Sequence, residues 1–476
     1  MSEKYFIGID EGSQSAKILI FDTIGNIVCE ASEPLKPYNL PEPGHVEHPG
    51  DDWWDAICKA SKKCMSLFKG NISDILGIGL CTIRYCRAYL DEDCMLAQPA
   101  LSWMDVRVSA PYVHENSKVK YIVASSGYIT YRLTGEKKDS VANYEGGWPV
   151  DVNTWDWSND PKAYEDTGMS RDMLFTLVKP GDILGLVTEE ASIATGLPKG
   201  VPVVATANDK AVEGLGVGCK GDDTICLSLG TYTSAMMEGK EFLKDTKNTW
   251  PKFSCIPDRY LYDTWGIRRG MWTVSWFRDI LGDGYEEIAK QHGLSAEEML
   301  NMEAEKVPVG SDGLMTVLDW LPWVDARYKK GIMIGFDGRH TRAHIYRSIL
   351  EAVALTMKKY IFDMTEEINV KIKKVIVTGG GSNSDVFMQI IADVLNIPTV
   401  RNEVKGAAGL GSAICAAVAS GYYGSFDEAM DKMVRTEDCF YPIPENTKIY
   451  DDMYPIYWSI SNYTDNILKK TYKIFK

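Results

Sequence analysis

The chain has 476 residues, 45% of them hydrophobic and 11% aromatic, more than one ordinary core needs and suited to two or three packed domains. Lys and Arg number 51 against 66 Asp and Glu, a net charge of −15 that argues against a broad nucleic-acid surface and points to small-molecule partners. The eleven cysteines include no Cys-x-x-Cys pair, no apolar run reaches the roughly 18 residues of a membrane span, and Met1 leads into a strand without a signal-like segment. The expectation is a reduced, cytoplasmic protein with no membrane partner and no cysteine-bound metal.

The opening "YFIGIDEGSQSAKILIFD" predicts two strands, Tyr5 to Ile9 and Ile18 to Phe21, joined by a small, polar, acidic turn from Asp10 to Ser15. Ordinary turn chemistry and a ligand-binding tip both fit that turn. "PGDDWWDAICKASKKCM" places Trp54, Ile57, Cys58 and Met65 near helical spacing, as core. In "VPVVATANDKAVEGLGVG" a strand from Val201 to Ala205 ends in Asn208-Asp209 and passes into a helix. An acid at a strand end and helix start is either a cap or a catalytic group of an α/β protein.

"DDTICLSLGTYTSAMMEG" repeats the opening design: strand Thr224 to Leu229 breaks at Gly230-Thr231-Tyr232-Thr233. The repeat hints at two halves built on one plan, with the border near Gly218 to Asp222, hence domains 1–219 and 220–476. "RSILEAVALTMKKYIFDMTEEI" and "GLGSAICAAVASGYY" are helical patterns. "KKVIVTGGGSNSDVFMQIIADVLNIPTV" reads as a strand Val375 to Val377, a Gly-rich turn, a helix from about Ser384 to Leu395 and a further strand. Its turn amides and helix start suit an anionic or ribose-bearing ligand.

Taken in order, "GIDEGSQSAK", "DDWW", "WMDVR", "YITYRLTG", "ATGLPKGVPVVATANDKAVEGLGVG", "SLGTYTS", "RHTRAHIYRSILEAVA", "VIVTGGGSNSDVFMQIIADVLNIPTV" and "GAAGLGSAICAAVASG" resemble the FGGY family of carbohydrate kinases over essentially the whole chain. The resemblance implies an α/β protein of two actin-like ATPase (ribonuclease H-like) domains flanking a catalytic cleft. It implies transfer of the γ-phosphoryl group of MgATP to a hydroxyl of a small sugar, polyol or sugar acid. By the same resemblance Asp10 holds Mg²⁺ through water, Gly12, Ser13, Gln14 and Lys17 face the phosphates, and Gly230 and Thr231 face them from the second hairpin. Asp209 is the general base. Gly380, Gly381, Ser382 and Asn383 form the adenosine turn, with a second loop at Gly406 to Gly411. Arg84 and Tyr85 of "IGLCTIRYCRAYLD", Trp103 and Asp105 of "WMDVR", and Asp209 contact the substrate.

Several positions depart from the family pattern. Ser13 stands where Thr is usual and keeps the hydroxyl. Lys210 stands where a small or amide residue is usual, and neighbouring helix positions point apart, so little contact with Asp209 is expected. Ile83-Arg84-Tyr85 matches neither the Gln-Met-His of xylulose kinases nor the Gln-Arg-Glu of glycerol kinases, and "KDSVANY" replaces the glycerol kinase "TDYTNAS". Arg84 suits vicinal hydroxyls or a carboxylate, with Arg268 and Arg269 of "GIRRGMW" as further candidates. A homodimer is compatible with this reading. The rival readings are an actin-like ATPase or switch protein, which would hydrolyse ATP without sugar, and a catalytically silent sugar sensor, against which the presence of Asp10 and Asp209 weighs.

Overall fold

The computed structural model describes residues 3–475; Met1, Ser2 and Lys476, the outer ends of the expected division, lie outside them. The opening alternation forms an antiparallel hairpin of β1 (Tyr5–Glu11) and β2 (Ser15–Asp22), extended by β3 (Ile27–Pro34). Helix α1 (Asp52–Leu67) leads to β4 (Ile75–Thr82), which lies parallel to β1. β5 (Ile183–Leu186) and β6 (Pro202–Asn208) complete a six-stranded sheet in the order β5-β6-β4-β1-β2-β3, and α2 (Asp209–Gly216) follows at once.

The second half repeats the plan. β7 (Thr224–Leu229) and β8 (Thr233–Gly239) form a hairpin, with β9 (Thr249–Phe253) and β10 (Tyr260–Thr264) added antiparallel beyond β8. The long α3 (Arg342–Glu367) precedes β11 (Lys374–Thr378), which pairs parallel with β7, then come α4 (Asp385–Leu395), β12 (Thr399–Asn402), α5 (Ala407–Ala419) and β13 (Thr436–Phe440). The order is β9-β10-β8-β7-β11-β12-β13. Both sheets therefore place a hairpin beside two parallel strands and close the parallel edge with an antiparallel one.

Strand periodicity explains how the halves join. Ile7, Ile9, Ile18 and Ile20 pack on the α1 side with Trp53 and Ile57. The alternate residues Phe6, Leu19 and Phe21 pack on the opposite face with Leu410 and Ile414 of α5. That helix lies almost flush on the sheet: a Cβ on Gly8 would stand 2.1 Å from the Gly409 carbonyl oxygen, and one on Gly79 1.9 Å from that of Ser412. Only glycine permits this approach. The consequence for the site is an alignment of edges. β1, β4 and β6 all end beside one another, as do β7 and β11, and the two sets meet where Arg84 reaches Asp263 and Lys210 reaches Ser228. Among the described residues no helix is long and apolar enough to cross a membrane.

Candidate active site

The two hairpin tips are built alike. In the first, the Gly12 N–H donates to the Ser15 carbonyl at 3.0 Å, while the carbonyls of Ser13 and Gln14 are taken by the Tyr38 hydroxyl (3.0 Å) and the Leu35 N–H (2.8 Å). In the second, the carbonyls of Gly230 and Thr231 accept from the N–H groups of Met271 (3.2 Å) and Gly270 (2.9 Å). Among the described residues the N–H groups of Ser13, Gln14, Thr231 and Tyr232 donate to nothing. Tips whose carbonyls are pinned elsewhere and whose amides are free are suited to anions. Lys17 is exposed and lies directly across the ladder from Asp10.

At the third turn Gly379 has φ +86°, and a Cβ there would stand 2.5 Å from the Leu229 carbonyl oxygen, so this turn presses on the second hairpin. Gly381 and Ser382 are buried, the Ser382 hydroxyl donating to the Gly379 carbonyl at 2.8 Å, whereas Gly380 and Asn383 face solvent. The helix expected from Ser384 begins at Asp385 with Ser384 as its cap, accepting from the Phe387 N–H.

Asp10 and Asp209 approach the cleft from the ends of β1 and β6. Burial pushes the Asp10 carboxyl up to about 6; Lys17 opposes that, while the charges of Asp209 and Glu213 reinforce it. Asn208 caps α2 by accepting from the N–H groups of Lys210 and Ala211, which frees Asp209 from capping. Asp209 Oδ1 has no hydrogen-bond partner among the described residues and stands 3.7 Å from Arg84 Nε.

Around Arg84 the structure assembles groups that no local motif announced. Arg84 Nη1 lies 3.4 Å from Asp263 Oδ2 on β10, and Lys252 Nζ of β9 lies 3.0 Å from the same oxygen. Tyr85 holds φ +60°, a left-handed conformation rare for a bulky residue, and donates through its hydroxyl to Glu145 Oε2 at 3.4 Å. Asn208 Nδ2 donates to Glu145 Oε1 at 2.9 Å. Burial raises the Glu145 carboxyl to about 7 despite Lys252 and Arg84 nearby. The only advance sign of Asp263 and Lys252 was a single charge in each of two otherwise apolar strands.

Trp103 is 45% exposed and offers a ring beside this loop. Asp105 has another occupation. Its carboxylate accepts from the Val46 N–H (2.7 Å), the Arg107 N–H (2.9 Å) and the Arg107 guanidinium (2.9 and 2.7 Å), and it is fully enclosed. Those bonds fasten the loop that carries Trp103. Arg268 donates to the Pro322 carbonyl and lies over Trp323, and Arg269 lies over Trp272, so both guanidinium groups are engaged in packing. Of the glycines between Gly406 and Gly411, expected beside a nucleotide, Gly409 and Gly411 are also required by packing. Gly409 meets Gly8, and a Cβ on Gly411 would stand 2.1 Å from the Val212 carbonyl oxygen of α2. Lys210, expected to make little contact with Asp209, turns instead to other partners, its Nζ 2.8 Å from both Glu213 Oε2 and Ser228 Oγ.

The N-terminal domain of the FGGY family of carbohydrate kinases matches residues 5–115 and 111–216, and the family's C-terminal domain matches residues 225–420. The uncharacterized sugar kinase YgcE of Escherichia coli (strain K12) is 51% identical over 477 residues, covering all of this chain and 96% of that protein. The xylulose kinase of Bacillus subtilis (strain 168) is 23% identical over 98% of both chains. The crystal structure of xylulose kinase from Rhodospirillum rubrum superposes with a TM-score of 0.83 at 23% identity, covering 98% of this chain and all of that one, a likeness of fold. Two hairpin-bearing α/β halves and both family domains along one chain lead to the same conclusion: the chain belongs to the FGGY family of carbohydrate kinases and is a sugar kinase.

Proposed function

We propose that the chain transfers the γ-phosphoryl group of ATP to a hydroxyl of a small sugar, polyol or sugar acid in the cytoplasm, with Asp209 as the general base. The observation that carries this reading is the Asp209 carboxylate, partly exposed, with Oδ1 lacking a hydrogen bond among the described residues, 3.7 Å from Arg84 Nε and close enough to Asp10 of the first hairpin for its charge to act there. Phosphoryl transfer asks for positioning, charge neutralisation and a group to take the hydroxyl proton. Arg84, Tyr85 and Trp103 orient the acceptor. Asp209 receives its proton as the oxygen attacks. The amides of Ser13, Gln14 and Thr231 meet the phosphates, with Gly12, Lys17 and Gly230 completing the tips, and the turn from Gly380 to Asn383 receives adenosine. Residues 1–219 then form the sugar-binding half and residues 220–476 the nucleotide-binding half.

Asp10 fits a Mg²⁺ held largely by water and phosphate oxygens. Its carboxylate is half-buried, and among the described residues it takes part in no hydrogen bond and no cluster of three protein ligands exists. Such an ion would neutralise the β- and γ-phosphate oxygens.

The test is a thermal-shift panel of polyols, ketoses, aldoses and sugar acids, followed by coupled measurement of ADP release with each binder. Sugar-dependent ADP release with formation of a phosphate ester supports the reading. ATP hydrolysis that no compound accelerates would favour an ATPase and reject it.

A further inference from the structure

Lys210 sits in the first turn of α2, next to Asp209, yet its side chain crosses to the other half of the molecule. Its ammonium is 2.8 Å from Glu213 Oε2 and 2.8 Å from Ser228 Oγ, and the Ser228 hydroxyl donates to Glu213 Oε1 at 2.9 Å. Ser228 lies on β7, just before the Gly230-Thr231 tip. The ammonium thus stands beneath the second phosphate tip, and its charge acts on Asp10 of the first as well as on Asp209.

Stability alone is a poor reason for this arrangement. The pair is only 15% and 14% exposed, and enclosing two opposite charges costs about as much in lost hydration as their attraction returns. An apolar pair would hold α2 against β7 as well. An ammonium at the strand that leads into the Gly230-Thr231 tip, with its charge felt at Asp10, has a further use, because charge spreads over the transferred phosphoryl oxygens and is stabilised by cations already in place. Lysine suits delivery, being a compact charge on a flexible four-carbon stem.

We propose that Lys210 is a γ-phosphate-binding residue, and that Glu213 and Ser228 hold its ammonium where bound ATP can take it over, with Glu213 competing against the phosphate. This rests on the kinase reading above. No bond is made or broken by Lys210; its proton stays in place.

The test uses the full chain and two probes, the magnesium complexes of ADP and of adenylyl-imidodiphosphate, whose terminal phosphate mimics that of ATP. Calorimetric titration of the wild type, Lys210→Gln, Glu213→Gln and the double variant gives a ratio of affinities for the two probes. In Lys210→Gln the preference for the triphosphate analogue falls by at least about tenfold, the worth of one charge-assisted hydrogen bond. In Glu213→Gln the preference rises, and the rise disappears in the double variant because it acts through the ammonium. Lys210→Arg restores part of it. A ratio within twofold of wild type in both Lys210→Gln and Glu213→Gln would mean a structural strap and overturn the role, leaving the kinase reading standing. Failure of the wild type to bind either nucleotide overturns both.

Discussion

Arg84 and Asp209 are joined at 3.7 Å between Nε and Oδ1, and the same guanidinium reaches Asp263 Oδ2 at 3.4 Å from Nη1. One arginine therefore links the candidate base at the end of β6 to a carboxylate on β10 in the other half. Its planar fork serves two acceptors in different directions, which an ammonium cannot reproduce. In Arg84→Lys, KM for the sugar rises by about tenfold to a hundredfold, while KM for ATP stays within about twofold. Steady-state kinetics with both substrates varied decides this. An equal rise in both KM values would place Arg84 outside the sugar site.

Asp209→Asn keeps the shape and removes the proton acceptor. Phosphoryl transfer falls by about two to four orders of magnitude, and nucleotide affinity holds. Single-turnover transfer measured beside calorimetric binding of the nucleotide separates the two. Turnover near that of the wild type would reject the base assignment.

Both hairpins were legible because strand alternation stops at small polar residues and then resumes, a pattern local to about eighteen residues. The same holds for the α/β unit at Val375. Asp263 and Lys252 were not legible. Asp263 meets a side chain 179 residues away, and nothing in the local pattern of "TWPKF" or "YLYDT" encodes that meeting. Lys210 makes no hydrogen bond or ion pair with Asp209 among the described residues, as the divergence of neighbours on a helix requires, but its contact with Ser228 across the two halves was not legible, because a four-carbon stem reaches well beyond its own helix face. Gly409 and Gly411 show a real ambiguity, because a glycine that admits a neighbouring helix looks in sequence like one that admits a nucleotide.

Glu145→Gln probes the half-buried acid bonded to Tyr85. A carboxyl raised from its ordinary 4.5 to about 7 holds its proton more tightly in the folded chain. Its contribution to stability is therefore full below about pH 4.5 and is lost as pH rises through 7. Glutamine cannot ionise and can keep the bonds to Asn208 and Tyr85. The variant is expected to match the wild-type melting temperature at pH 5 and to exceed it at pH 8. A difference independent of pH would show that Glu145 titrates normally.

Gly79→Ala tests the seating of α5 on the first sheet. The added Cβ would stand 1.9 Å from a backbone oxygen that cannot rotate away, so the helix or the strand must move. The expected loss is about 3 kcal/mol, at the upper end for overpacking. Gly284→Ala is the control, since a Cβ there meets nothing within 4 Å and lies in the helix Asp283–Gln291. It should add about 0.5 to 1 kcal/mol. Urea midpoints for both variants measure the contrast, and equal midpoints would discount the close approach.

The polar groups of the cleft are divided between the halves: Arg84, Asp209 and Lys210 on one, Lys252, Asp263 and Ser228 on the other. A sugar held by Arg84 and Asp209 therefore bears on the position of Asp263, and a triphosphate held by both tips bears on the position of Ser228. On the proposed reading each ligand would favour the arrangement that the other requires, and closure would exclude the water that could otherwise accept the phosphoryl group. Sugar and adenylyl-imidodiphosphate should bind with positive coupling, within the usual range of about 5- to 150-fold. Because the coupling is reciprocal, titrating the sugar with and without nucleotide and the nucleotide with and without sugar must return one factor. Asp263→Asn should reduce that factor while leaving nucleotide affinity in the absence of sugar close to wild type, since the side-chain hydrogen bonds of Asp263 among the described residues go to Arg84 and Lys252. A factor of one in the wild type, with equal radii of gyration in solution scattering with and without both ligands, would sink the closing mechanism.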